Sequence, residues 1–134
     1  MNFEEWAKTV PAQIRETALW KFQAYPKALF LYELVWQDCE KLTKDPHGRA
    51  VVQQIIRSAG SISANLEEGY GRGFGRENAY FQRIALGSAR ETQGWYLRSH
   101  HLLTEDVLNH RVSLLDEIIS LLVRSSQTQR RKGH

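Results

Sequence analysis

The chain holds one cysteine, Cys39, among 134 residues, so no disulfide can close within it, and the thiol reads as a small core hydrophobe. It has no apolar run of about twenty residues, the length a helical membrane span needs. The opening Met1-Asn2-Phe3-Glu4-Glu5 is acidic where a signal peptide is basic, so the expected compartment is the cytoplasm. Strand-period alternation and internal repeats are lacking too. So are the usual marks of catalysis. No Gly-Lys-Ser/Thr of a phosphate loop occurs, and Gly71-Arg72-Gly73-Phe74-Gly75-Arg76 ends in Arg where a dinucleotide fingerprint ends in Gly. There is no nucleophile elbow or Ser-x-x-Lys, and no Glu-x-x-His repeat of a diiron bundle. His100 and His101 are adjacent, and adjacent helical side chains project about 100° apart, too divergent to share a metal. These absences predict a protein that is not an enzyme and has no metal or cofactor.

What is present is helical periodicity. The length suits one domain with a real core, and 42% hydrophobic against 25% charged residues is ordinary for a globular chain. Residues 1–24 form an N-terminal extension, aromatic at Trp6 and Trp20, with Pro11 suited to a first helical turn and Ile14, Ala18 and Phe22 four apart. It reads as a short helix docked on the rest of the chain or on a neighbouring subunit. The first main helix is expected over 26–42, with Ala28, Leu31, Val35, Cys39 and Leu42 inward. Leu29, Phe30, Leu34 and Trp36 widen its apolar surface, which asks for a second burial partner. After a turn at 43–48, a second helix is expected over 49–68, ended by the glycines that follow. Its apolar face is Val52, Ile55, Ile56, Ala59, Ile62, Ser63 and Leu66.

A third helix is expected over 76–103, with Phe81, Ile84, Ala85, Ser88, Thr92, Trp95, Ser99 and Leu102 as its core face. Arg76, Arg83 and Arg90 recur every seventh residue and stack on its far side, next to Gly87 and Gly94. Thr104 followed by Glu105 and Asp106 starts a fourth helix, expected to reach about Val123. Residues 125–134, polar with Arg130-Arg131-Lys132, read as a basic disordered tail beyond a bundle domain spanning 25–124. The fold class is all-α, an antiparallel up-down four-helix bundle with an extra N-terminal helix.

Ser58, Ser61, Asn65 and Glu68 make a polar ridge beside the apolar face of the second helix. Short hydroxyls and an amide suit either a hydrogen-bonded helix contact or a ligand site. The ridge belongs to Ser61-Ile62-Ser63-Ala64-Asn65-Leu66-Glu67-Glu68-Gly69-Tyr70-Gly71-Arg72. This run resembles the Ser-Ile-x-x-Asn-x-x-Glu-Gly-x-x-Arg signature of the small four-helix-bundle proteins encoded in intervening sequences of large-subunit ribosomal RNA genes. Tyr25-Pro26-Lys27-Ala28 stands where that family has Trp-x-x-Ala, and Gln54 to Ala59 resembles its Gln-x-x-Arg-x-Ala run. Ala85-Leu86-Gly87-Ser88-Ala89-Arg90-Glu91 resembles its Ala-x-Gly-Ser-x-x-Glu. The resemblance makes Ser61, Asn65, Glu68, Gly69, Ser88 and Glu91 the structural motif. It also implies ring-like homopentamers. A relative with this fold assists the reverse transcriptase of diversity-generating retroelements, which makes RNA, DNA and a reverse transcriptase candidate partners.

A formal charge of +3 and a pI near 9.2 permit nucleic-acid binding without requiring it, and a ring would multiply the field. Arg72, Arg76, Arg83, Arg90, Arg130, Arg131 and Lys132 are the candidate contacts, with Tyr70 and Phe74 able to stack on bases. Two functions stay open: an oligomeric module binding RNA or a nucleoprotein through these arginines, or a scaffold whose arginines meet only protein. In the second, Glu77, Glu91 or a neighbouring subunit's acids neutralise the stripe.

Overall fold

The computed structural model describes residues 1–132. Three short helices, α1 (Phe3–Ala7), α2 (Ala12–Arg15) and α3 (Ala18–Lys21), precede four long ones. These are α4 (Ala24–Leu42), α5 (Pro46–Gly71), α6 (Arg76–Arg98) and α7 (Glu105–Arg131), with a 3₁₀ turn at His100–Leu102 before α7. Among the described residues there is no strand. Local chemistry sets the boundaries. Asp45 caps α5 by accepting from the His47 and Gly48 amides at 2.8 and 3.4 Å, with Pro46 at the first position, where its missing N–H costs nothing. Thr104 accepts from the Val107 amide at 3.2 Å and starts α7. Short connections force antiparallel neighbours, and packing runs α4 to α5 to α6 to α7 and back to α4, the up-down bundle.

Leu31, Val35, Leu42, Ile55, Ile62, Leu66, Leu115, Ile118 and Leu122 form the apolar centre, all at most 2% exposed. One charged group is embedded in it. Asp38 of α4 accepts from Arg111 of α7 at 2.8 Å (Nε to Oδ2) and 2.9 Å (Nη2 to Oδ1), and from the Tyr96 hydroxyl of α6 at 2.6 Å. His110 Nδ1 accepts the remaining contact, 2.8 Å from Arg111 Nη1. Burial, then the adjacent carboxylate, pushes the Tyr96 phenol far above its ordinary range. Burial opposes the Arg111 charge, but the Asp38 pair more than offsets it and raises the guanidinium further. Three helices are thus pinned by one satisfied network that the sequence reading did not anticipate.

The N-terminal extension is three short helices rather than one, and it packs on its own chain. Trp6 rings against Phe3, Trp20 and Phe30, with centroids 5.9, 6.1 and 5.4 Å apart, and Phe30 and Leu34 are buried beneath it. That covers much of the apolar surface the sequence left unpartnered on α4. Trp36 is the exception, 65% exposed.

Three expectations need correction. Gly69 does not end α5; the helix runs on to Gly71 with Arg72 as its C-cap, and Gly73, whose φ of 98° suits glycine, lies just beyond. Of the core face expected for α6, Ala85, Thr92 and Ser99 (its C-cap) are buried as expected, but Asn78, Ala79, Gln82, Ala89 and Tyr96 complete it in place of Phe81, Ile84, Ser88, Trp95 and Leu102, which are only part-buried. Finally, the stretch read as a disordered tail is helical to Arg131, because Ser126 is buried and Gln129 Oε1 accepts from the Gly75 amide at 2.7 Å. Residues 133 and 134 of that predicted tail lie outside the described residues.

Candidate nucleic-acid interface

The polar ridge of α5 faces α6. Ser88 Oγ donates to Ser61 Oγ at 2.9 Å, Asn65 Nδ2 donates to the Ser61 carbonyl and hydroxyl at 2.8 and 2.9 Å, and the Ser58 and Thr92 hydroxyls are joined at 2.8 Å. Arg57 of α5 pairs with Glu91 of α6, whose carboxylate also accepts from Trp95 Nε1 at 3.0 Å. These bonds, Trp95 first and Arg57 next, hold the Glu91 carboxyl below its usual range. The seam is narrow at Gly69. A Cβ there would lie 2.7 Å from Asn78 Oδ1 and 2.8 Å from Phe81 Cβ, so only glycine fits without movement. Ser61, Asn65, Gly69, Ser88 and Glu91 are therefore brought together as a helix–helix contact. Glu68 is not part of it. It is exposed and pairs with Arg72 at 3.4 Å.

The basic residues fall into two groups. Arg72 and Arg76 flank the loop between α5 and α6, and the Gln129 bond to Gly75 draws the exposed Arg130, Arg131 and Lys132 to the same end of the bundle. Arg83 and Arg90 continue along α6, each a further seven residues, or about 10 Å, from the last. Their row is Arg76, Tyr80, Arg83, Gly87, Arg90, Gly94 and Leu97, spaced four and three. Arg76, Tyr80, Arg83, Gly87, Arg90 and Leu97 are exposed, while Gly94 is part-buried, with the Arg98 guanidinium 3.0 Å from where its Cβ would lie. Beyond its chain neighbours and its own helical backbone, no atom of the described residues lies within 4 Å of where a Cβ on Gly87 would be.

The electrostatics divide them differently. Arg72 is held by Glu68 and by Glu77, 3.7 Å away, and lies over the Phe81 ring. Glu77 is thus engaged with Arg72, and Glu91 with Arg57, the two acids expected to neutralise the stripe. Among the described residues, Arg76, Arg83 and Arg90 have no carboxylate within 4 Å.

Between the basic end and the core lies a cleft of about 530 Å³ lined by Tyr70, Gly73, Phe74, Asn78, Gln82 and Gln129, among others. Asn78, Gln82 and Gln129 were not singled out from sequence. The available signal was the 78–82–85–89–92–96–99 spacing, which sets polar residues at regular core positions. No group of three or more His, Cys, Asp or Glu side chains among the described residues is arranged to hold a metal. His100 and His101 stack with centroids 4.0 Å apart.

A hydroxyl-laced seam between the second and third long helices, an unpaired arginine row behind it and an aromatic cleft at one end mark out this helical bundle. The family model described as 23S rRNA-intervening sequence protein matches residues 21–124, and the chain belongs to that family. Among solved structures it is similar to a protein of unknown function from the S23 ribosomal protein family of Bacteroides thetaiotaomicron. Identity is 24% and the TM-score 0.68, over 75% of this chain and 95% of that one, a likeness of fold. No curated protein matches the chain.

Proposed function

We propose that this protein is a non-enzymatic, homo-oligomeric module that binds RNA, alone or within a nucleoprotein, through the arginine face of α6. The observation that supports the reading is the row Arg76, Arg83 and Arg90, exposed and without a carboxylate partner while nearby Glu77 and Glu91 are engaged elsewhere. Guanidinium groups held apart from acids keep their full attraction for phosphate. Gly87 leaves the surface between two of them low, so an extended phosphate backbone can approach.

Labelled single-stranded RNA titrated at rising salt tests this. Binding should weaken log-linearly, by roughly 0.7 in slope per phosphate contact. Arg83→Glu with Arg90→Glu should reduce both affinity and slope while the particle mass is unchanged. Equal binding by that variant would overturn the assignment of the face. Light scattering at micromolar concentration should give a closed oligomer, with a pentamer expected, and a monomer mass would refute that part.

The scaffold reading rests on a different observation. Trp36 is exposed beside Tyr32 and Ile56 over an apolar groove of about 380 Å³. If an intact oligomer binds no RNA at low salt, that reading replaces the first.

A further inference from the structure

The cleft at the basic end contains a defect that packing alone does not explain. Gln82 is 4% exposed, and its Oε1 is buried with no hydrogen-bond partner among the described residues. A buried carbonyl left unpaired is destabilising, and leucine at this position would fill similar volume at no such cost. Asn78, 8% exposed, adds a second carboxamide to the same wall. The lining also carries exposed aromatics. Tyr70 and Phe74 are 47% and 64% exposed, and Lys132 Nζ lies 5.6 Å from the Phe74 ring centroid. At about 530 Å³ the cleft is within the range of ~300–1,000 Å³ that small-molecule sites occupy.

We infer that this cleft takes one unpaired nucleobase of a bound RNA strand. Phe74 or Tyr70 stacks on the base, and the Gln82 carbonyl accepts from its edge. Terminal amide torsions are soft, so a turn about χ3 presents the Gln82 oxygen to an incoming donor. Adenine and cytosine offer this acceptor an exocyclic amino group, guanine an amino group and N1–H, and uracil its N3–H, so each base supplies a donor. The strand leaving the cleft meets Lys132 and Arg76 at its lip rather than Arg72, whose charge is taken up by Glu68 and Glu77. Stacking with amide readout is the general mode by which proteins hold single-stranded bases. This inference rests on the RNA reading above and adds base recognition to it.

The test compares labelled octamers of A, of C and of U with an abasic ribose-phosphate octamer, on the full chain at low salt. The A, C and U octamers should each bind on the order of tenfold tighter than the abasic strand. Gln82→Leu should abolish that preference, leave abasic binding unchanged and melt no lower than the parent. Phe74→Ala, at an exposed position where folding is not at risk, should do the same. Abasic binding as tight as A, C and U, or a preference that survives both variants, overturns the base pocket while the arginine face stands. Conversely, base preference retained with Arg83→Glu and Arg90→Glu silent removes the arginine face and leaves the pocket. Adenosine monophosphate binding without any octamer preference overturns the strand and makes a free nucleotide the ligand. No binding by any octamer overturns both.

Discussion

Removing Arg111 should be the most damaging polar substitution in the bundle. Its guanidinium is 8% exposed and holds Asp38, 3% exposed, by two bonds of 2.8 and 2.9 Å. In Arg111→Met the side-chain volume is largely kept, but the Asp38 carboxylate retains only the Tyr96 hydroxyl. Breaking one side of a buried ion pair costs about 3–5 kcal/mol, a large share of a stability of about 5–15 kcal/mol. With a urea m-value of about 2 kcal/mol/M, a loss of about 4 kcal/mol moves the midpoint down by about 2 M. Tyr96→Phe removes one hydrogen bond to a charged acceptor and should cost less, about 1.5–3 kcal/mol. The decisive variant removes the whole network. Asp38→Leu, Tyr96→Phe and Arg111→Met together leave no buried charge and should recover most of the single-variant loss. Urea unfolding followed by circular dichroism at fixed protein concentration measures all three. A loss below about 1 kcal/mol for Arg111→Met, or a triple variant far worse than the single one, would refute the assignment of a satisfied, buried charge.

Asn65→Leu should destabilise by about 1–3 kcal/mol, because Ser61 then loses its amide donor inside the seam, whereas Glu68→Leu at an exposed pair should change stability by less than about 1 kcal/mol. Urea midpoints for the two variants check this contrast, and equal effects would contradict it. Trp6→Ala should cost up to about 3 kcal/mol and free the extension, exposing Phe30 and Leu34; limited proteolysis should then release an N-terminal fragment that the parent does not yield. Stability should decline in alkali. Burial, and after it Asp38, raises the Tyr96 phenol well above its ordinary 10.0, and the same causes raise the Cys39 thiol from 9.0 to about 11, so the folded chain favours their protonated forms. That contribution is complete below pH 9 and is lost as pH rises through 9 to 11 and beyond, as the unfolded groups ionise first. Urea midpoints at several pH values should fall in that window, and less steeply in Tyr96→Phe; flat midpoints would contradict it.

The four long helices are legible in the sequence because their signals are local. Asp45 before Pro46, Thr104 before two acids, and the glycines at 73 and 75 mark ends through backbone chemistry that tertiary packing does not override. The arginine stripe is legible for the same reason, since sevenfold spacing maps directly to one face. The inward face of α6 is not. Periodicity weighted by side-chain size centres it on Phe81, but α5 and α6 approach too closely at Gly69 for large residues to lead. The row that faces inward keeps Ala85 and Thr92 but is otherwise led by Asn78, Gln82 and Ala89. The end of α7 was hidden similarly. Ser126 and Gln129 look like tail residues until the bond from the Gly75 amide to Gln129 shows what they anchor. Asp38 and Arg111 are 73 residues apart in sequence, so nothing local could pair them.

Both misread regions place polar side chains where a bundle ordinarily sets apolar ones, and the two ends of α6 treat them in opposite ways. At the Tyr96 end, donors and acceptors are matched one to one across α4, α6 and α7. At the Gln82 end, fourteen residues and about 21 Å away along the helix, a buried acceptor has no partner among the described residues. If polar core residues served only to align helices, both ends should be satisfied, because an unpaired group specifies nothing and costs stability. The imbalance separates the roles. One end fixes the bundle, and the other leaves an unpaired acceptor in a cleft with exposed aromatics, where a base held in the pocket proposed above would supply the missing donor.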